Sequence, residues 1–79
     1  MADIEGIELA DSESDLTDME KDWYDSVYKS VSITELNDDK RKAQALDSVN
    51  LMRVWRTKGA GVLNRALYTK QFPYKYTRL

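Results

Sequence analysis

Apolar residues recur along this chain with a helical period in three places, and each run has its own start and stop signals. In the first, Met19, Trp23 and Val27 follow one another at i, i+4 and i+8, flanked by Leu16, Tyr24 and Val31, which makes one apolar face. Thr17-x-x-Glu20 precedes it and reads as a capping box, with the Thr hydroxyl accepting the Glu20 amide while the Glu carboxylate reaches back. Asp18 and Glu20 suit the positive end of a helix beginning there. Lys21–Asp25 and Asp25–Lys29 supply i,i+4 ion pairs on the wet side. The β-branched stretch VYKSVSIT ends this helix early or forms an extended piece, so that a hairpin between residues 24–34 and the Tyr74–Tyr76 tail is the alternative. Ser32-x-x-Glu35 is a second capping box, placed to open a single turn before Asn37.

The second run, KRKAQALDSVNLMRVWRTK, is uninterrupted by Gly or Pro from an Asn37/Asp38/Asp39 cap to Gly59. On a helical wheel Ala45, Leu46, Val49, Leu51, Met52 and Trp55 cover a broad arc, with Val54 off it. An arc this wide predicts a central helix touched from more than one side. Gly59-Ala60-Gly61 stops it, glycine being the residue that readily takes the left-handed cap. A third, shorter helix is expected over Val62–Gln71, with Val62, Leu63, Ala66, Leu67 and Tyr68 inward, closed by the restriction Pro73 places on Phe72. The expected fold is therefore a small all-α domain of three helices, two longer and one short, over residues 16–72. Residues 1–15 are acidic with few apolar groups to offset ordering entropy and are expected to be a disordered arm. Residues 73–79 are expected to be an extended basic and aromatic tail.

Charge sharpens this picture. Thirteen of the fourteen carboxylates lie in the first 39 residues, ten of the twelve Lys and Arg lie after them, and no acid follows Asp47. The overall net of −2 thus hides two halves of opposite sign. Either the halves fold onto each other and their fields cancel, or the basic end holds a phosphate-bearing, lipid or acidic protein partner while the acidic arm shields it.

The residue inventory removes several function classes. There is no Cys and no His, which excludes disulfides, thiolate chemistry and the usual zinc sites. Asp11-Ser-Glu-Ser-Asp15 alternates acids but lacks the glycine and closing Glu of a calcium loop. No nucleophile elbow or phosphate-cradling glycine loop is present, so neither an enzyme, a cofactor nor a small-molecule substrate is expected. No stretch approaches the roughly 20 apolar residues of a membrane span, and the acidic N-terminus does not read as a targeting peptide. An intracellular setting, cytoplasmic, nuclear or virus-associated, is expected.

Binding remains. The first expectation is a small protein-docking subunit (an adaptor, inhibitor or assembly component) that uses the apolar helix face together with Trp55, Arg53, Arg56, Arg65, Lys70, Tyr74, Lys75, Tyr76 and Arg78. Trp, Tyr and Arg are the residue types enriched among interface anchors, and two Trp, five Tyr and one Phe exceed what a core of this length requires. The alternative is nucleic-acid binding, with the same cations on phosphates and Tyr68, Phe72, Tyr74 and Tyr76 stacking on bases. The helix–GAG–helix order loosely resembles a helix-turn-helix. Two short motifs complete the reading. Thr77-Arg78-Leu79 resembles the carboxyl-terminal peptides taken up by PDZ domains, and Ser12 and Thr17 each precede an acid by three residues, as substrates of acid-directed kinases do.

Overall fold

The computed structural model describes residues 4–76. Arg78, and with it the Thr77-Arg78-Leu79 motif, lies outside the described residues, as do the first three residues of the arm. The chain is all-helical. A single 3-10 turn, Glu13–Asp15, leads into α1 (Asp18–Val31), α2 (Asp38–Lys58) and α3 (Ala60–Tyr68), with no strand among the described residues. No helix among them is long and apolar enough to cross a membrane.

Local chemistry sets the helix boundaries. The Thr17 capping box closes as expected: Glu20 N–H donates to Thr17 Oγ1 at 3.2 Å and Thr17 N–H donates to Glu20 Oε1 at 3.0 Å. Asn37 caps α2 by accepting from Lys40 N–H at 3.1 Å. Residues 24–31 are helical and form no hairpin with the tail. At the end of α1 the Tyr28 carbonyl accepts from both the Ser32 N–H at 3.1 Å and the Ser32 Oγ at 2.7 Å, and the chain leaves the helix through a turn at residues 32–34. Ser32 does not open a second capped turn. Glu35 instead accepts from Asn37 N–H, and Arg41 reaches back to the carbonyls of Glu35 and Leu36, fastening the α1–α2 connection. Tyr28 O–H donates to Asp38 across the same connection.

Gly59 serves both as the C-cap of α2 and as the N-cap of α3, at φ 90° and ψ 171°. Its N–H donates to Trp55 O at 2.9 Å and its carbonyl accepts from Leu63 at 3.2 Å. This is a mirror-extended conformation, not the left-handed helical cap the GAG run predicts, and it is essentially reserved for glycine. Nothing lies within 4 Å of a Cβ built there, so backbone strain alone opposes substitution. Gly59→Ala is expected to cost about 1–3 kcal/mol, read as a lowered denaturation midpoint at constant m-value; an unchanged midpoint would refute this conformation. At the far end of α3, Gln71 N–H donates to Ala66 O and Lys70 N–H donates to Leu67 O. This is the double bond pattern of a Schellman motif, with Lys70 in the left-handed position at φ 60°. The motif ends α3 three residues before the expected Gln71.

α2 is the central helix. One flank meets α1 and the arm through Ala10, Tyr24, Ala45, Leu46 and Val49, and another meets α3 and the tail through Ile4, Val54, Ala66 and Phe72. Val54, which the helical wheel leaves outside the apolar arc, is 0% exposed: the arm and α3 cover a side of α2 that a two-helix wheel assigns to solvent. Tyr68, read as inward, is exposed, as is Met19.

Within the acidic arm expected over residues 1–15, residues 4–15 are described. They lie along α2, where Asn50, 1% exposed, exchanges two hydrogen bonds with one residue of the arm. Ala10 N–H donates to Asn50 Oδ1 at 2.8 Å, and Asn50 Nδ2 donates to Ala10 O at 3.0 Å. A carboxamide has one acceptor and a donor pair in a planar array that matches the two polar groups of one backbone residue. Composition does not register this device, because it lies in a side chain 40 residues away.

Candidate functional site

Of the nine residues nominated from sequence, the eight that the structure describes do not form one surface. Arg53, at the α1–α2 seam, is held internally. Its Nε and Nη2 donate to the two carboxylate oxygens of Glu20 at 2.7 and 2.8 Å, Nη1 donates to Glu8 O at 3.0 Å, and Nη2 also donates to Asp15 O at 2.9 Å. Both side chains of the pair are less than one-fifth exposed. The Arg53 guanidinium, joined by the Thr17 amide and hydroxyl, holds the Glu20 carboxyl well below its usual range, at about 2, against the opposing pull of burial. Glu20 in turn pushes Arg53 up. One guanidinium thus ties α1, α2 and the arm together.

The tail is held in the same way. Asp47, buried on α2, accepts the successive amides of Lys75 at 2.6 Å and Tyr76 at 3.0 Å. Lys75 Nζ donates to Asp11 of the arm at 2.8 Å, and Tyr76 O–H donates to Glu35 at 3.2 Å. Tyr74 packs edge-on against Phe72, centroids 4.8 Å apart, within the α3-side cluster. The basic tail and the acidic arm therefore meet over α2, and fields of opposite sign partly cancel there. Of the remaining nominated residues, Trp55, Arg56, Arg65 and Lys70 are exposed on the end of α2, on α3 and just past it.

What the structure leaves open is an apolar valley along α2. Arm and α1 cover two sides of that helix and α3 with the tail covers a third, so one strip stays bare. Its floor is Ser48, Leu51, Met52 and Trp55, at i, i+3, i+4 and i+7. Three adjoining hollows run along it. The first lies between Met19, Trp23 and Met52 with Arg56 at its edge, the second between Trp23, Trp55 and Leu63, and the third between Val27, Leu51, Tyr74 and Tyr76. The first two share Trp23 and Met52, and the last two share Ser48 and Leu51, so the surface is continuous. Met19 is 72%, Trp23 45% and Trp55 50% exposed, unusual for side chains that carry this much apolar area.

From sequence, Trp55 is named for docking, Met52 lies on the apolar α2 arc proposed for it and Trp23 is part of the same aromatic surplus, whereas Met19 is placed only on the apolar face of the first helix. The available signal was the surplus of aromatic residues. What it lacked was the direction in which α1 is rolled: Tyr24 and Val27 turn to α2, which rotates Met19 and Trp23 outward. Asp47 and Asn50 were also missed, since polar residues inside an apolar arc carry no mark of burial.

Comparison with known proteins leaves this geometry to speak for itself: no family model matches the chain, and no curated protein and no solved structure matches it.

Proposed function

We propose that this chain is a non-catalytic protein-binding module that docks a partner protein in the valley between α1, α2 and α3. The observation that carries the reading is the continuous apolar surface that exposed Met19, Trp23 and Trp55 form around half-buried Met52. Large apolar patches rimmed by polar groups mark interaction sites, and Trp is the side chain most enriched among binding hot spots. The basic and aromatic end has less to offer a nucleic acid. Arg53 and Lys75 are engaged in ion pairs, and Phe72 and Tyr74 pack edge-to-face against each other, so two of the proposed phosphate contacts and two of the proposed stacking platforms already have internal partners. Arg56 and Lys70 remain exposed and serve the rim of a protein interface equally well.

The test is retention of a partner from the native source by tagged wild-type protein and by Met52→Glu, which sets a carboxylate on the valley floor. A stoichiometric partner held by wild type and weakened by about thirtyfold or more in the variant, at an unchanged melting temperature, is the expected result. Trp55→Ser should act in the same direction. A partner retained equally by both variants would place docking elsewhere and sink the proposal.

A further inference from the structure

We infer that the occupant of the valley is a single amphipathic α-helix of a partner protein, carrying carboxylates on the flank that meets Arg56; this rests on the docking reading above. Shape is the first argument. The floor is one stripe of α2 from Gln44 to Trp55, about 16 Å long at the rise of a helix. It is walled on one side by Trp23 of α1 and on the other by Leu63 of α3 and Tyr74 of the tail. A half-open stripe between two walls accepts a rod, and apolar side chains at i, i+3, i+4 and i+7 of that rod would meet the stripe ridge into groove. With α2 already packed on its other sides, a fourth helix here completes a bundle around it.

Charge supplies the sign. Gln44, Ser48, Leu51, Met52 and Trp55 carry no formal charge, and Asp47, which also lines the third hollow, is buried and accepts the Lys75 and Tyr76 amides. At the α2 C-terminal end the two charged residues of the rim differ in status. Glu20 is neutralised by Arg53 at 2.7 Å, whereas Arg56 is exposed and forms no ion pair with any described residue. No acidic residue follows Asp47 anywhere in the chain, so α3 and the end of α2 add only positive field at that end. A partner helix with Glu or Asp beside its apolar stripe gains from this rim, and one with Lys or Arg there is opposed by it.

The experiment uses two Trp-free peptides of about 18 residues, long enough to cover the stripe. They share one Leu stripe and carry Glu or Lys flanks. Trp23 and Trp55 emission of the full chain is followed on titration at low salt, with sedimentation of the protein alone in parallel. The expected result is a blue shift with saturable binding of the Glu-flanked peptide, about three- to fivefold weaker binding of the Lys-flanked one, reversal of that order in Arg56→Glu, and loss of both in Met52→Glu. Equal affinity for the two peptides would overturn the acidic occupant while leaving the docking face standing. Binding of neither peptide, or binding indifferent to Met52→Glu, would overturn the helix-in-valley assignment altogether. A protein that sediments as a dimer and becomes monomeric in Met52→Glu would give the valley to a second copy and overturn the partner helix.

Discussion

Asn50→Leu should lower the free energy of unfolding by about 3 kcal/mol and release the acidic arm. The replacement is close in volume but removes one donor and one acceptor at a site where the residue is 1% exposed. The Ala10 N–H and C=O, otherwise satisfied at 2.8 and 3.0 Å, would be left facing an apolar side chain. Each lost hydrogen bond costs about 1 kcal/mol, and each unsatisfied buried group adds a desolvation penalty of about 1–3 kcal/mol. The arm escapes part of that cost by detaching into water, which exposes Ile4 and Ala10 and their neighbours. A domain of this size holds only about 4–12 kcal/mol in total, so the melting temperature should fall by at least about 10 °C. Hydrogen exchange supplies the second readout. The Ala10 amide should be protected in the wild type and exchange at close to the random-coil rate in the variant. An Ala10 amide that exchanges freely in the wild type would show that the arm does not dock on Asn50.

Arg53→Met should cost a comparable amount, about 3 kcal/mol, and should also change how stability depends on pH. The guanidinium makes four hydrogen bonds, two to Glu20 and one each to the carbonyls of Glu8 and Asp15. Glu20 has a folded-state pKa of about 2 against 4.5 for the unfolded chain. A carboxylate held below its unfolded value contributes stability that is fully present above about pH 4.5. That contribution falls as the pH drops toward 2 and is gone below it. The contribution is on the order of 3 kcal/mol, because a drop from 4.5 to about 2 at about 1.4 kcal/mol per unit of pKa amounts to roughly that much. In Arg53→Met most of the acid sensitivity between pH 4.5 and 2 should vanish along with the stability. A smaller part should persist, since the Thr17 amide still donates to the carboxylate. Denaturation at several pH values, on Arg53→Met, Glu20→Gln and the double variant, separates the pair from its neighbours. Additive single-variant effects with unchanged acid sensitivity would mean that the pair is a surface contact of little consequence. The proposed docking function does not depend on this outcome, but it does require a frame that keeps α1 rolled with Trp23 outward, and Arg53 is the side chain that joins α1 to α2 and the arm.

The charge asymmetry that marks this chain takes on a structural meaning through these contacts. Arg53 with Glu20, Lys75 with Asp11, and Tyr76 with Glu35 all join the basic half to the acidic half. Residues 4–15 serve as part of the fold, so their deletion would remove Ile4 and Ala10 from the two core clusters as well as any shielding of the cations. A pure shielding test therefore calls for Asp11→Asn, which leaves the arm's backbone in place.

Three helices, their order and most of their boundaries were legible in the residues alone. The Thr17-x-x-Glu20 box, the Asn37 cap and Gly59 act over four residues or fewer, and interactions at that range have the same partners in any fold that contains the segment. Helical periodicity likewise made α2 central before any contact was known. Which face of each helix is buried required the assembled molecule. Val54 is enclosed and Met19, Trp23 and Tyr68 are not, because those outcomes depend on how α1 and α3 are rolled about their axes, and a wheel drawn for one helix contains no neighbour. The same is true of the arm and tail. Asn50 and Asp47 each hold a distant stretch of backbone, and a hydrogen bond between residues 28, 29 or 40 positions apart leaves no periodic trace in the chain. Local order followed from short-range capping and periodicity, while the apolar valley exists only because three packed neighbours around α2 leave one of its sides bare.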